Sequence, residues 1–325
     1  MSARLIVDSR LTSPEFHAQA CQRLAQGLVQ RPASVPPAYL YDALGSRLFA
    51  AITELPEYSP TRTEASLLLR HRQQIAAWLA EADMLIDLGA GDCKKAPLLL
   101  SLLQPTSYLA VDISPDSLRE GTEAIARDFP EMSVTAYVTD FFSGLSWPED
   151  LHGRRPLFFY PGSSIGNFSP EHAQRFLRGL AQQGQQATNE PLLLIGVDLV
   201  KPVALLEAAY ADALGLTACF NLNLLRHVNR VIGADFDVRQ FRHNAVFDAE
   251  HSRIEMSLVS QCAQTVRWCS GERRFAEGEH IITEHSYKYT IPGFEELLYS
   301  SGFEPLQRWT DDRETYLLCA ARALQ

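Results

Sequence analysis

No two cysteines in this chain stand at a C-x-x-C spacing, and its nine histidines contain no H-x-x-x-H. Cys21, Cys93, Cys219, Cys262, Cys269 and Cys319 are scattered instead, so neither a disulfide framework nor a zinc site is suggested and reduced thiols within a core are expected. Long apolar runs are also missing. The longest, residues 192–200, carries Asp198 and is too short to span a bilayer. Residues 1–10 lack a basic segment leading into an apolar one, so a cytosolic protein is expected. Positive charge is scarce: 29 Lys and Arg against 39 Asp and Glu give a formal charge of −10, with no basic patch along the chain. A phosphate backbone or an anionic membrane surface is repelled by that balance, so neither is expected as a partner. One glycine is absent as well. After Gly89-Ala90-Gly91-Asp92-Cys93 comes Lys94, where the dinucleotide fingerprint G-x-G-x-x-G requires a third glycine, so a dinucleotide dehydrogenase is disfavoured.

What is present centres on residues 84–112. Met84, Leu85, Ile86 and Leu88, interrupted only by Asp87, read as a short buried parallel strand that runs into Gly89-Ala90-Gly91. Pro97 suits a first helical turn, and Leu98, Leu99, Leu100, Leu102 and Leu103 make a packed helix before a second strand at 107–113. This is a β-α-β unit. Its glycines let backbone approach a ligand, its helix N-terminus offers unpaired N–H groups, and Asp112, about 20 residues on, can accept both hydroxyls of a ribose. A nucleoside cofactor is therefore expected. Asp87, the G-x-G and Asp112 together resemble the first two motifs of class I S-adenosylmethionine (SAM) methyltransferases.

The rest of the 325 residues extends this pattern. Helices are expected from Ser13-Pro14-Glu15 to Pro32, over 64–80 with Thr61 or Thr63 as cap, over 114–129, and from Ser169-Pro170-Glu171. Strands are expected at 134–138, 156–160 and 192–200. Asp140 followed by Phe141 suits an adenine, one accepting from its amine and one packing on its ring, although Asp140 serves equally well as a turn cap. The loop Tyr160-Pro161-Gly162-Ser163-Ser164-Ile165-Gly166-Asn167 leaves the fourth strand at the carboxyl edge, where open α/β sheets bind ligands, and is the first candidate for the substrate side. Residues 201–251 read as helix and loop and 253–262 as a half-exposed strand, together an insertion. A helix over 292–301 and a hairpin of strands 303–309 and 315–320 close the chain, as in class I methyltransferases.

With Tyr41-Asp42, LPEYSPTRTE, LGAGDCKK, PGSSIGN, ADFD and TEHSYKY in view, nearly the whole chain resembles the histidine-specific methyltransferases of ergothioneine biosynthesis. The resemblance implies an α/β fold: a Rossmann-like class I SAM methyltransferase sheet with a second, smaller α+β substrate domain inserted. It assigns residues 1–62, 81–200 and 287–325 to the SAM-binding domain, and 63–80 with 201–286 to substrate recognition. The implied activity is transfer of three methyl groups from SAM to the α-amino group of L-histidine, giving hercynine. SAM is the implied cofactor and a small amino acid the partner, in a monomer. By position, Gly89 and Lys95 lie at the amino-acid end of SAM, Asp112 at the ribose, Asp140 and Phe141 at the adenine, and Tyr41 also on the cofactor side. On the substrate side the resemblance places Tyr41, Tyr58, Gly162, Ser164, Asn167 and Tyr210 around the amino acid's backbone groups and Glu284 and Ser286 at its imidazole, with Tyr41 and Tyr58 as the candidate catalytic residues.

The same residues make chemical sense unaided. A neutral imidazole has one donor and one acceptor, so Glu284 and Ser286, at i and i+2 on one face of a strand, can bond both nitrogens. An ordinary solvated strand explains the same alternation. A related fungal branch of the fold methylates indole amino acids, which leaves that substrate class open, as it does a non-catalytic SAM-binding regulator.

Overall fold

The computed structural model describes residues 3–140, 154–183 and 190–324. Among these residues fourteen strands and ten α-helices, numbered in chain order, divide into two units.

The first unit comprises Met1–Asp8, Pro60–Val200 and Lys288–Gln325. Its strands are β1 (Arg4–Val7), β3 (Met84–Leu88), β4 (Ser107–Asp112), β5 (Ser133–Val138), β6 (Pro156–Tyr160), β7 (Leu192–Asp198), β13 (Phe303–Thr310) and β14 (Tyr316–Ala323). They form one sheet in the order β1-β5-β4-β3-β6-β7-β14-β13. Strands β1 to β7 in that order run parallel, and β14 pairs antiparallel with both β7 and β13. The central strands are nearly continuous apolar runs because they are covered on both faces, and every residue of β3, β6 and β7 is buried. Phe158, Tyr160, Ile195 and Val197 of the sheet share one core with Phe176 and Leu180 of α7 (Pro170–Gln182) and Phe294 and Leu298 of α10 (Ile291–Ser300). The expected parallel sheet with its closing hairpin is present, with β1 as a further edge strand that sequence reading did not anticipate. The helix expected over 64–80 is instead two, α3 (Pro60–Arg70) and α4 (Arg72–Leu79), broken at His71. Because α3 starts at Pro60, Thr61 and Thr63 sit inside its first turn and do not cap it.

The second unit comprises Ser9–Ser59 and Lys201–Tyr287. Strands β2 (Ala33–Ser34), β12 (His280–Tyr287), β9 (Arg253–Ser260) and β8 (Phe241–Asp248) make one sheet in that order, and β10 (Gln264–Trp268) and β11 (Gly271–Phe275) form a separate hairpin. Helices α1 (Pro14–Val29), α2 (Ala43–Thr53), α8 (Val203–Tyr210) and α9 (Leu216–Ile232) belong to the same unit. Ser13 Oγ caps α1 by accepting from Phe16 N–H at 3.0 Å, and Asp212 accepts from the N–H groups of Leu216 and Thr217 at the start of α9. Leu24, Leu28, Leu40 and Ile52 share their core with Leu224, Leu225 and Val228 of α9 and with Ile254, Met256 and Leu258 of β9. The two units therefore divide the chain differently from the expected partition. Residues 9–59 pack with the inserted unit, β2 pairing with β12, while 63–80 belongs to the sheet unit, where α3 and α4 lie on β14. Among the described residues no helix is long and apolar enough to cross a membrane.

Candidate functional site

Three of the expected cofactor residues, Gly89, Asp112 and Asp140, stand in the first unit at the carboxyl ends of three adjacent parallel strands, whereas Tyr41 belongs to the second unit. Gly89 follows β3, Asp112 ends β4 and Asp140 stands two residues beyond β5. Gly89 and Gly91 have φ of 71° and 54°, left-handed backbone that glycine adopts without strain. The N–H groups of Gly89 and Ala90 both donate to Val111 O, which folds the turn against the end of β4. The carboxylate of Asp112 accepts from Gly91 N–H at 2.9 Å and from Ser114 N–H at 2.9 Å, so both neighbouring loops fix its plane. Burial pushes this carboxyl above the ordinary aspartate range, against the backbone N–H groups that favour its charge. Thr139 N–H donates to Asp112 O at 3.0 Å and brings the start of the Asp140 loop beside it. Phe141 lies outside the described residues.

This donor set fits a nucleoside cofactor. A Cβ built on Gly91 meets no atom within 4 Å, so the turn is open on the side where backbone has to approach a ligand. The carboxylate of Asp112 has further lone pairs for hydroxyl donors. Below it, Asp87 in β3 is buried, with Oδ2 accepting from the Tyr108 hydroxyl at 2.9 Å and no partner for Oδ1 among the described residues. Burial, opposed by the Tyr108 hydrogen bond and by the charge of Lys95, raises the Asp87 carboxyl to about 7.

The loop after β6 stands at the same edge of this unit. Gly162 has φ of 78° and Ser163 φ of 58°, and the 3₁₀ turn Ser164–Asn167 follows directly. Ser163 Oγ accepts from Asp198 N–H at 2.9 Å, tying the loop to the end of β7. The Asp198 carboxylate forms a 3.0 Å ion pair with Lys288, both side chains almost wholly buried. Ser164 donates to Pro161 O at 3.2 Å, and Gly162, Ser164 and Asn167 are all half-buried.

The other expected substrate residues belong to the second unit. Strand β12 carries a bulge between Ile282 and Glu284. Before it Ile281 pairs with Leu258, and after it Glu284 pairs with Met256 and Ser286 with Ile254. Leu258, Met256 and Ile254 occupy one face of β9 and belong to the core, so the extra residue re-aims Glu284 and Ser286 onto that apolar face. Both are buried, at 7% and 4% exposure, which rules out the solvated strand that their alternation also allowed. Tyr210, at the end of α8, donates its hydroxyl to Ser286 Oγ at 2.8 Å. The Tyr210 ring lies 6.3 Å from that of Tyr58, Tyr58 lies 6.0 Å from Phe49, and Tyr41 lies 5.6 Å from Phe49 and 5.5 Å from Phe220.

Sequence reading missed the support beneath this set. His243 Nε2 donates to Tyr210 O at 2.8 Å, while Nδ1 accepts from Asn221 at 2.9 Å, an arrangement that requires the neutral ring. Burial lowers the His243 pKa accordingly. Phe49 was missed too, since an aromatic within an apolar helical stretch reads as core. His280 and His285 contact Ser257 and Glu255, consistent with structural roles. Among the described residues no group of His, Cys, Asp and Glu is arranged to hold a metal ion.

Residues 20–323 match the family described as histidine-specific methyltransferase, SAM-dependent. A histidine N-alpha-methyltransferase of Mycolicibacterium smegmatis is 38% identical over 301 residues, spanning 90% of this chain and 92% of that protein. One of Mycobacterium tuberculosis is 36% identical over 324 residues, spanning 98% and 99%. Ergothioneine biosynthesis protein 1 of Neurospora crassa is 30% identical over 302 residues, 90% of this chain but 33% of its own length.

Proposed function

The chain belongs to the histidine-specific SAM-dependent methyltransferases, and from that premise we propose that it trimethylates the α-amino group of L-histidine to hercynine in ergothioneine biosynthesis. Within the structure, the observation that supports histidine most directly is the pair Glu284 and Ser286, buried on an apolar strand face with Tyr210 on Ser286. Glu284 accepts the imidazole N–H, and Ser286, while accepting from Tyr210, turns its own proton toward the other ring nitrogen. Gly89, Lys95, Asp112 and Asp140 hold SAM, with Tyr41 on the cofactor side as well. Tyr58, Gly162, Ser164, Asn167 and Tyr210 hold the amino acid's backbone groups.

SAM supplies a methyl group on a sulfonium, already a strong leaving group. The protein's task is therefore to hold the amine in line at about 3 to 3.5 Å and to let it lose a proton, because an ammonium has no lone pair. Tyr41 and Tyr58, seated in the aromatic cluster by Phe49 and Phe220, orient the amine and pass its protons to water. The protein acts as a monomer in the cytoplasm, without nucleic-acid or membrane partners.

The experiment is to incubate the protein with SAM and each of the twenty amino acids and to read products by mass. Histidine should gain three methyl groups, and tryptophan and phenylalanine should be poor substrates. A site that hydrogen-bonds both imidazole nitrogens rejects an analogue lacking them by roughly 10⁴ to 10⁵ in kcat/KM. The double variant Glu284→Met with Ser286→Asn should lose activity on histidine and shift the ratio toward tryptophan. An unaltered ratio of the two initial rates places imidazole recognition elsewhere.

A further inference from the structure

Glu64 belongs to α3 and is buried, with 0% exposure, although in the sequence it reads only as a carboxylate near the start of a helix. Its two oxygens reach three separate segments of the sheet unit. Oε1 accepts from Gly162 N–H at 2.8 Å and from the Tyr316 hydroxyl at 2.6 Å, and Oε2 pairs with Lys95 Nζ at 2.7 Å. The surrounding backbone is shaped for this carboxylate. A Cβ on Gly196, in the middle of β7, collides with Glu64 Oε1 and the Tyr316 hydroxyl, so only glycine there admits the group. A Cβ on Gly162 comes within 3.0 Å of Lys95 Nζ, so the loop backbone and the lysine approach each other across Glu64.

We propose that Glu64 is a positioning residue that uses one buried carboxylate to hold Lys95, on the cofactor side, in register with Gly162, on the substrate loop. The inference rests on the assignment of those two residues above. Charge-assisted hydrogen bonds to a fully desolvated carboxylate are short and directional, so each oxygen fixes its partner's position. Lys95 keeps a third of its side chain exposed and, without Glu64, is free to swing toward water. The peptide before Gly162, held in left-handed backbone, loses the acceptor that orients its N–H.

Glu64→Gln separates the bonds. The amide oxygen can still accept from Gly162 and Tyr316, but the amide N–H₂ faces the Lys95 ammonium, donor against donor. The test compares the wild type, Glu64→Gln and Lys95→Gln by calorimetric affinity for S-adenosylhomocysteine and by kcat and KM for L-histidine at saturating SAM. Folded Glu64→Gln should bind S-adenosylhomocysteine about tenfold more weakly and show a raised histidine KM, the scale set by losing one bond to a charged group. Lys95→Gln should also raise histidine KM, because it releases the carboxylate that holds Gly162. A merely structural Glu64 lowers the melting temperature and leaves both constants unchanged in the folded protein, and that result overturns the proposal. So does a Lys95→Gln variant that loses cofactor affinity with histidine KM unchanged, a measurement that decides the matter even if Glu64→Gln does not fold. If the wild type itself fails to methylate histidine, the functional reading falls, and cofactor affinity in Glu64→Gln alone judges the role of Glu64.

Discussion

Asp87 shows how far burial sets the chemistry of a single residue in this protein. Its carboxyl, raised to about 7 by desolvation, stays protonated in the folded state where the unfolded chain has already ionised, near pH 3.9. Between roughly pH 4 and pH 7 the folded form therefore binds the extra proton, so stability falls as pH rises through that window and levels off above it. Asp87→Asn keeps the side-chain shape and an acceptor for the Tyr108 hydroxyl but removes the titration. Relative to wild type, the ligand-free variant should gain stability with pH across that window, on the order of a few kcal/mol at the upper end. Urea midpoints of both proteins from pH 4 to 8 check this; two parallel curves mean that Asp87 is already ionised in the fold. The residue scale is also where sequence reading was weakest. Nothing in the spacing of Glu64 distinguishes a buried three-way acceptor from a helix-start carboxylate, and Asn221 and His243, which hold Tyr210, are brought to it only by the fold.

At the scale of elements, the β-α-β unit was legible because its signals are local. The apolar runs of β3 and β4, the glycine turn and Asp112 lie within 29 consecutive residues, from Met84 to Asp112, and each fixes its neighbour's conformation. Close approach of a helix at that turn, which a third glycine would have allowed, comes instead from Gly121 in α6 (Pro115–Asp128), where a Cβ would strike Asp92 and Cys93. That compensation lies outside the motif and so outside its reading. Strand β8 was missed because most of its residues are half-exposed and leave no alternation to follow, and the bulge in β12 appears only once the partner strand is known. The end of β7 makes a testable element. Asp198 and Lys288 pair with side chains 4% and 1% exposed, and Asp198 N–H holds Ser163 of the loop after β6. Lys288→Met strands a buried carboxylate and should cost about 3 to 5 kcal/mol, while adding Asp198→Asn should recover most of it. A loss below about 1 kcal/mol in the single variant, measured by denaturant unfolding, indicates a pair solvated in solution.

At the scale of the whole molecule, the two compact units divide the chain differently from the two domains expected from the sequence. Residues 9–59 join the second unit through contacts with partners distant in sequence, such as Ala33 with Ile281, and no local period reports such a pairing. The proposed roles of the two units can be read by hydrogen exchange. A ligand at one hundred times its Kd stabilises the bound form by about 2.7 kcal/mol, which slows exchange strongly wherever amides open through the liganded structure. S-adenosylhomocysteine should protect residues 84–95 and 110–114 in the sheet unit, and Asp112→Ala should abolish that protection in a protein whose other amides exchange as before. L-histidine added with S-adenosylhomocysteine should protect α8 and β12, where Tyr210, Glu284 and Ser286 reside. Its effect should be weaker in the Glu284→Met, Ser286→Asn variant. Histidine-dependent protection confined to the sheet unit, with β12 exchanging unchanged, would remove the second unit from substrate recognition and leave Glu284 and Ser286 as a buried polar pair of structural use only.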